Sequence, residues 1–207
     1  MHNSQRHTSG SEPAEKLYFA YGSNLSFEQM AKRCPQSRFI GRGRLYQHQF
    51  QINERGYANI VYLGSRNPDA FVDGLCYLLA QNDETNLDRA EGVPTAYSKK
   101  ILDIEFFPAP ISLLGRLLTE IVQRPILPTP LQQLATQTSV GGEITQALVY
   151  LSSDYVQPGL PWDEYIQRME LGLQNALALG ISSAYVENDV GPTLKTGRGV
   201  RKAKDPA

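Results

Sequence analysis

Apolar residues are not spread evenly along the chain. Leu17-Tyr18-Phe19-Ala20-Tyr21 is a short β-type apolar run that ends at Gly22, which predicts a buried strand. Ser26-Phe27-Glu28-Gln29 has the Ser-x-x-Gln form of a capping box. A short helix should follow it and stop before Cys34-Pro35, because a residue preceding proline avoids the α region. Residues 37–64 read as β structure interrupted by glycines, with Asn59 to Leu63 the clearest strand. Gly41-Arg42-Gly43-Arg44 precedes no helix and lacks phosphate-loop spacing, so a bulge or bend is expected there. Phe71 to Ala80 is another strand, with Leu75, Tyr77 and Leu79 on one face.

Asn82 or Asp83 can cap a brief helix ending near Glu91-Gly92, where glycine supplies the left-handed residue that closes a helix. Val93-Pro94 breaks the chain, and Tyr97 to Phe107 alternates like a long strand. Residues 108–142 differ in texture. An amphipathic helix through Ile111, Leu114, Leu118, Ile121 and Val122 precedes a proline-rich stretch, Pro125 to Pro130, and a Gln/Thr/Gly-rich stretch. This segment reads as an insertion in a surface loop. Ile144 to Leu151 returns to strand. Pro161 opens a helix carrying Tyr165, Met169, Leu173 and Leu177 at helical spacing, and Gly180 closes it. Short strands separated by helices imply an α+β fold with a small closed or nearly closed sheet.

Length adds that 207 residues suit one decorated domain, large enough to fold without a metal or disulfide staple. The domain is expected over 17–190, between a polar N-terminal segment (1–16) and a basic C-terminal tail (191–207). No 18-residue apolar run occurs, the first 16 residues hold no apolar signal core, and the two cysteines make no disulfide framework, which together predict a cytoplasmic protein. Lys195, Arg198, Arg201, Lys202 and Lys204 against Asp205 give the tail a net charge of +4. The whole chain is near −1, so the body is acidic. The tail reads as a solvated charge run rather than a nucleic-acid arm.

The inventory of reactive groups is short. Of three histidines, only His48 lies outside the N-terminal segment, in a strand-like run. Cys34 and Cys76 are far apart and read as inert packing residues. Zinc ligation and histidine triads have little to work with, and a carboxylate is the expected acid–base agent.

Three segments carry candidate chemistry. Tyr21-Gly22-Ser23-Asn24-Leu25 joins a strand to a helix, where backbone amides can cradle an anion; on local physics alone the favoured reading is a turn with a helix cap. Glu91 stands at a helix end among small and apolar neighbours; buried there its pKa would rise, whereas most glutamates are simply exposed. Asp88, one turn earlier, belongs on a solvated face. Tyr155 leaves a strand exit and fits a ligand contact or a rim position alike. Tyr18, Tyr62, Tyr77 and Tyr165 read as core or sheet residues.

Together these segments resemble the γ-glutamylcyclotransferase family. The residues that carry the resemblance are Phe19-Ala20-Tyr21-Gly22-Ser23-Asn24-Leu25, Leu87-Asp88-Arg89-Ala90-Glu91-Gly92-Val93 with Tyr97, the strand Ala147 to Leu151 with Tyr155, and the helix from Trp162 to Gly180. The resemblance spans about residues 17–188. It implies a small mixed β-barrel with surrounding helices and cleavage of γ-glutamyl amides to 5-oxoproline and a free amine or amino acid. It implies that Tyr21, Gly22, Ser23, Asn24 and Leu25 hold the substrate, that Glu91 is the catalytic acid–base, and that Tyr155 touches the substrate. It implies no cofactor and no metal. Glutathione-specific relatives carry Tyr-Gly-Ser-Leu at the loop and γ-glutamylamine types Tyr-Gly-Thr-Leu, so Asn24 points to γ-glutamyl amino acids. The longer 108–142 segment leaves open a larger glutathione-derived conjugate, and the basic tail leaves open a non-catalytic binding or scaffold relative. The expected partner is a small γ-glutamyl molecule rather than a membrane or nucleic acid, with the inserted helix a candidate homodimer contact.

Overall fold

The computed structural model describes residues 15–123 and 142–201. The apolar run at the start forms β1 (Lys16–Ala20), followed by a 3-10 turn (Ser23–Leu25) and α1 (Phe27–Arg33). Then come β2 (Arg38–Tyr46), β3 (His48–Ile52), β4 (Ala58–Tyr62), β5 (Phe71–Leu79), α2 (Gln81–Ala90), β6 (Ser98–Pro108), β7 (Arg116–Leu117), α3 (Leu118–Gln123), β8 (Glu143–Leu151) and α4 (Asp163–Ala178).

Five strands close a barrel. β1 runs antiparallel to β5 (Lys16 opposite Leu79). β5 runs antiparallel to β2, with a one-residue slip between Phe39 and Gly41 where the glycine pattern predicts a bulge. β2 pairs antiparallel with β6, and β6 with β8 from Ser98–Leu151 to Phe106–Glu143. The ring closes through a parallel pairing of β8 with β1 at Tyr18–Leu148. β7 pairs antiparallel with the start of β2, and β3 and β4 form a separate antiparallel pair. The expected small mixed barrel with surrounding helices is the fold of this chain.

The barrel interior is built from Phe19, Cys76 and Ile104, which converge on Gly43. Strand β5 departs from its expected alternation: Val72 to Tyr77 are buried throughout, so both of its faces are covered. Tyr77 makes an aromatic cluster with Phe39 and with Phe27 of α1, at centroid distances of 6.0 and 6.3 Å. Burial of Cys34 and Cys76 pushes both thiols up, Cys34 to about 12, so neither is a reactive thiolate at neutral pH. His48 is a buried residue of β3, and its burial lowers its pKa.

Local expectations needed three corrections. Ser26 caps α1 by accepting from the Gln29 amide (3.3 Å), but the Gln29 side chain turns to Ser23 and Asn24 instead of closing the box. Ala80, not Asn82 or Asp83, precedes α2, and Asp83 lies inside its first turn. The helix expected through Ile111 is only Leu118–Gln123, because Pro110 to Gly115 turns and Arg116–Leu117 is drawn into pairing with β2. Leu118 and Ile121 are buried as expected, whereas Ile111 is 92% exposed. The proline-rich stretch 125–130 and most of the Gln/Thr/Gly-rich stretch lie outside the described residues.

The basic C-terminal segment is folded as far as Arg201. Gly191–Lys195 is helical. The Gly199 amide then donates to the Asp163 carboxylate (2.8 Å), the Asp163 amide donates to the Arg201 carbonyl (3.0 Å), and the Arg201 guanidinium stacks on Trp162 at 3.9 Å. The first turn of α4 has free amides and an aromatic flank, and this segment satisfies both. Gly199 and Arg201 thus pack against the start of α4, and of the expected tail residues 202–207 lie outside the described residues. Residues 1–14 do as well. Among the described residues no helix is long and apolar enough to cross a membrane.

Candidate active site

The loop after β1 is held rigidly. Tyr21 turns its hydroxyl to the Tyr150 carbonyl (2.6 Å), and Tyr77 donates to the Asn24 carbonyl (3.0 Å). The Leu25 amide donates to Gly22 O and the Ser26 amide to Ser23 O, forming the 3-10 turn. Helix α4 packs on this turn, with Asn175 accepting from the Phe27 amide (2.9 Å). Gly22 has φ −104°, so left-handed geometry is not what requires glycine. Space is: an added Cβ would lie 3.1 Å from the Tyr165 hydroxyl and 3.2 Å from Ala58 Cβ.

Glu91 follows the last helical residue of α2. Its amide closes the helix on Leu87 O, and Gly92, at φ +65°, turns the chain away in the left-handed conformation expected of that glycine. Leu87 is fully buried and anchors the helix. Asp83 fastens its other end, accepting from the Gln36 amide (2.8 Å) and the Ser37 hydroxyl (2.9 Å). Asp88 is engaged elsewhere, accepting from Lys99 (2.8 Å) and the Tyr150 hydroxyl (2.6 Å). Its burial raises its pKa, but those two hydrogen bonds outweigh the rise and hold it below the usual value. The two carboxylates do not form a paired-acid site.

Asn24 links loop and helix. Its side-chain amide donates to Glu91 Oε1 (2.8 Å) and to the Tyr18 hydroxyl (2.9 Å), while its oxygen accepts from Arg33 (2.8 Å) and Gln29 (2.9 Å). Arg33 also stands 3.4 Å from Glu91 Oε1. The Glu91 side chain is only 17% exposed. Burial raises its pKa above the ordinary carboxylate value; Arg33, the Asn24 hydrogen bond and Arg168 pull it back without cancelling the rise.

Glu91 opens into a cleft of about 280 Å³. Ser23 and Gly92 border it beside the carboxylate, and Tyr57, Tyr97 and Tyr165 form an aromatic wall. Tyr165 accepts from the Ala58 amide (3.2 Å), and Tyr97 donates to the Ala58 carbonyl (2.6 Å), so the wall is fastened to β4. Burial pushes the Tyr165 hydroxyl up to about 12, leaving it neutral. Four guanidinium groups line the cleft, those of Arg33, Arg55, Arg89 and Arg168, and Glu91 is its one carboxylate among the described residues.

Of the residues singled out from sequence, Glu91 and Ser23 line the cleft, Gly22 adjoins it, and Asn24 holds the carboxylate. Tyr21 and Leu25 do not reach it, because Tyr21 points to Tyr150 and Leu25 is core. Tyr155 does not line it either; its ring lies under the Arg55 guanidinium at 4.9 Å. Sequence reasoning missed Arg33, Arg55, Tyr57 and Arg168; Tyr165 is the core residue it was expected to be and also lines the cleft. The Tyr165–Arg168 pair at i,i+3 on the first turns of α4 was the available signal.

The sequence profile described as gamma-glutamyl cyclotransferase, AIG2-like, matches residues 18–112, the part that supplies the loop, Arg33, Arg55, Glu91 and Tyr97. Residues 18–112 thus resemble the γ-glutamylcyclotransferase family. A structure named gamma-glutamyl cyclotransferase superposes with a TM-score of 0.59 at 19% identity, over 93% of this chain and 91% of that one. An uncharacterized Homo sapiens protein, loc79017, gives 0.58 at 20% identity, over 94% and 92%. YkqA from Bacillus subtilis gives 0.60 at 17% identity, over 90% of this chain and 56% of that one. These likenesses establish the shared γ-glutamylcyclotransferase-like fold. No curated protein sequence matches the chain.

Proposed function

We propose that the protein is a γ-glutamylcyclotransferase acting on γ-glutamyl amino acids or peptides. The observation that carries this reading is Glu91, a desolvated carboxylate and, among the described residues, the one carboxylate in a cleft lined by guanidinium groups. The cationic lining suits a substrate that brings carboxylate charge, and a raised pKa suits a group that must both take and return a proton.

Glu91 accepts a proton from the substrate's α-ammonium. The freed amine attacks the γ-carbonyl carbon of the same molecule, forming the ring C–N bond. The γ-amide C–N bond breaks, and Glu91 returns the proton to the departing nitrogen. The ring nitrogen sheds a second proton as it becomes an amide and the departing nitrogen takes that proton up, so the products are 5-oxoproline and a free amino acid or peptide in its ammonium form, with no net change in protons. Attack within one molecule needs no protein nucleophile, so positioning supplies much of the acceleration. Asn24 and Arg33 hold the carboxylate in place. The border at Gly22 and Ser23 receives the glutamyl α-carboxylate, while the spent amide of Leu25 takes no part.

The test is 5-oxoproline release from γ-glutamyl-alanine, glutathione and a γ-glutamyl amine. Release from the dipeptide is expected. Release from none of the three contradicts the proposal and returns attention to the larger conjugate or the non-catalytic relative.

A further inference from the structure

We propose that Arg55 is a specificity residue that receives a carboxylate on the leaving-group side of the substrate; this rests on the cyclotransferase reading above. Arg55 lies between β3 and β4, and its backbone is fixed from two directions. The buried Asn53 side chain accepts from the Arg55 amide (3.1 Å) and the Tyr57 amide (3.4 Å), and Trp162 Nε1 donates to the Arg55 carbonyl (2.7 Å). Its guanidinium lies over Tyr155 at 4.9 Å and near the Tyr57 ring at 6.0 Å. A cation stacked on ring faces is held in position while its in-plane N–H groups stay free to donate.

Those donors have no acceptor among the described residues. Nη1 of Arg55 is buried and makes no hydrogen bond among the described residues. The other cleft arginines are engaged: Arg33 with Asn24 and Glu91, Arg168 with both oxygens of Glu164, and Arg89 with Asn86. Among the described residues Arg55 also has no carboxylate within ion-pair distance. A buried, unsatisfied guanidinium N–H is costly unless something accepts from it. Its planar fork matches a carboxylate. Arg33 already serves Glu91, whereas Arg55 enters the cleft from the β3–β4 loop. The group it suits is therefore a second carboxylate, carried by the released amino acid or peptide. This makes γ-glutamyl amino acids, rather than γ-glutamyl amines, the substrate class. Tyr155 acts here as a positioning residue beneath Arg55.

The proposal is tested by titrating the full-length Glu91→Gln protein with γ-glutamyl-alanine and with its C-terminal carboxamide, and by comparing kcat/KM for the two on the otherwise native chain. The acid should be favoured by about tenfold or more, the scale of one charge-assisted hydrogen-bonded pair. Arg55→Gln should bring the two ligands to within about twofold, and Arg55→Lys should restore part of the preference. A merely structural role would weaken both ligands alike and leave their ratio unchanged, which would overturn the proposal, as would equal affinity in the native chain or binding of neither ligand. Carboxylate discrimination in titration without 5-oxoproline release would instead sink the cyclisation chemistry and leave Arg55's role standing.

Discussion

At Glu91, opposing influences act on a single carboxyl group. Burial raises its pKa, and Arg33, Asn24 and Arg168 act against that rise. Only the ionised form can take the substrate's proton, so kcat/KM should rise with pH through the raised value, with an acid limb above the ordinary 4.5. Arg33→Gln removes the largest downward influence, and the limb should move to higher pH; a pH–rate profile that does not move would contradict the assigned role of Arg33. Stability carries the same sign. A carboxyl raised on folding contributes most below its unfolded value, and that contribution is lost as pH rises through the folded value. Ionised Glu91 therefore weakens the fold at neutral pH, a common property of active-site groups. Gly22 is constrained by space. Gly22→Val places a branched side chain against the Tyr165 hydroxyl and Ala58, with an overpacking cost of about 1–3 kcal/mol. Steady-state kinetics should show at least a tenfold lower kcat/KM, and unchanged kinetics would remove the loop from the site.

At the scale of elements, α2 sets the position of Glu91. Leu87 buries its middle, and Asp83 ties its first turn to the chain between α1 and β2. Asp83→Ala leaves a buried hydroxyl and an amide without their acceptor, which should cost about 1–3 kcal/mol. Urea unfolding reads that loss, and an unchanged midpoint would show that Asp83 does not anchor the helix. This tie also shows what the sequence conceals. An aspartate two residues into a helix looks like a cap, and nothing local reveals that its acceptors serve a turn almost fifty residues earlier. The strands were legible because apolar runs and alternation are local, and Ser26 was legible because its cap reaches only to Gln29. Ile111 misled because a helical spacing persists on paper across Gly115, where φ is +73° and the chain turns.

At the scale of the molecule, the barrel closes by one parallel pairing between strands some 130 residues apart, at Tyr18 and Leu148. Local patterning predicts both strands but not their union, so the closed sheet was an inference from composition and resemblance. The site was legible to a similar degree. Glu91 and the loop carry a recognisable pattern, whereas the guanidinium lining comes from α1, the β3–β4 loop, α2 and α4, and exists only once these are assembled. The basic C-terminal segment resisted reading for the same reason. Its charge suggested solvation, yet Arg201 finds the Trp162 face and the segment closes the start of α4.

The central claim is that Glu91 moves the proton in a cyclisation whose nucleophile the substrate supplies. The most direct measurement is the rate of 5-oxoproline formation from saturating γ-glutamyl-alanine by the native chain and by Glu91→Gln, with ligand affinity measured alongside. The account predicts a fall in kcat of about 10²–10⁴-fold with affinity largely retained. A Glu91→Gln protein that binds the dipeptide and turns it over at the native rate would contradict it.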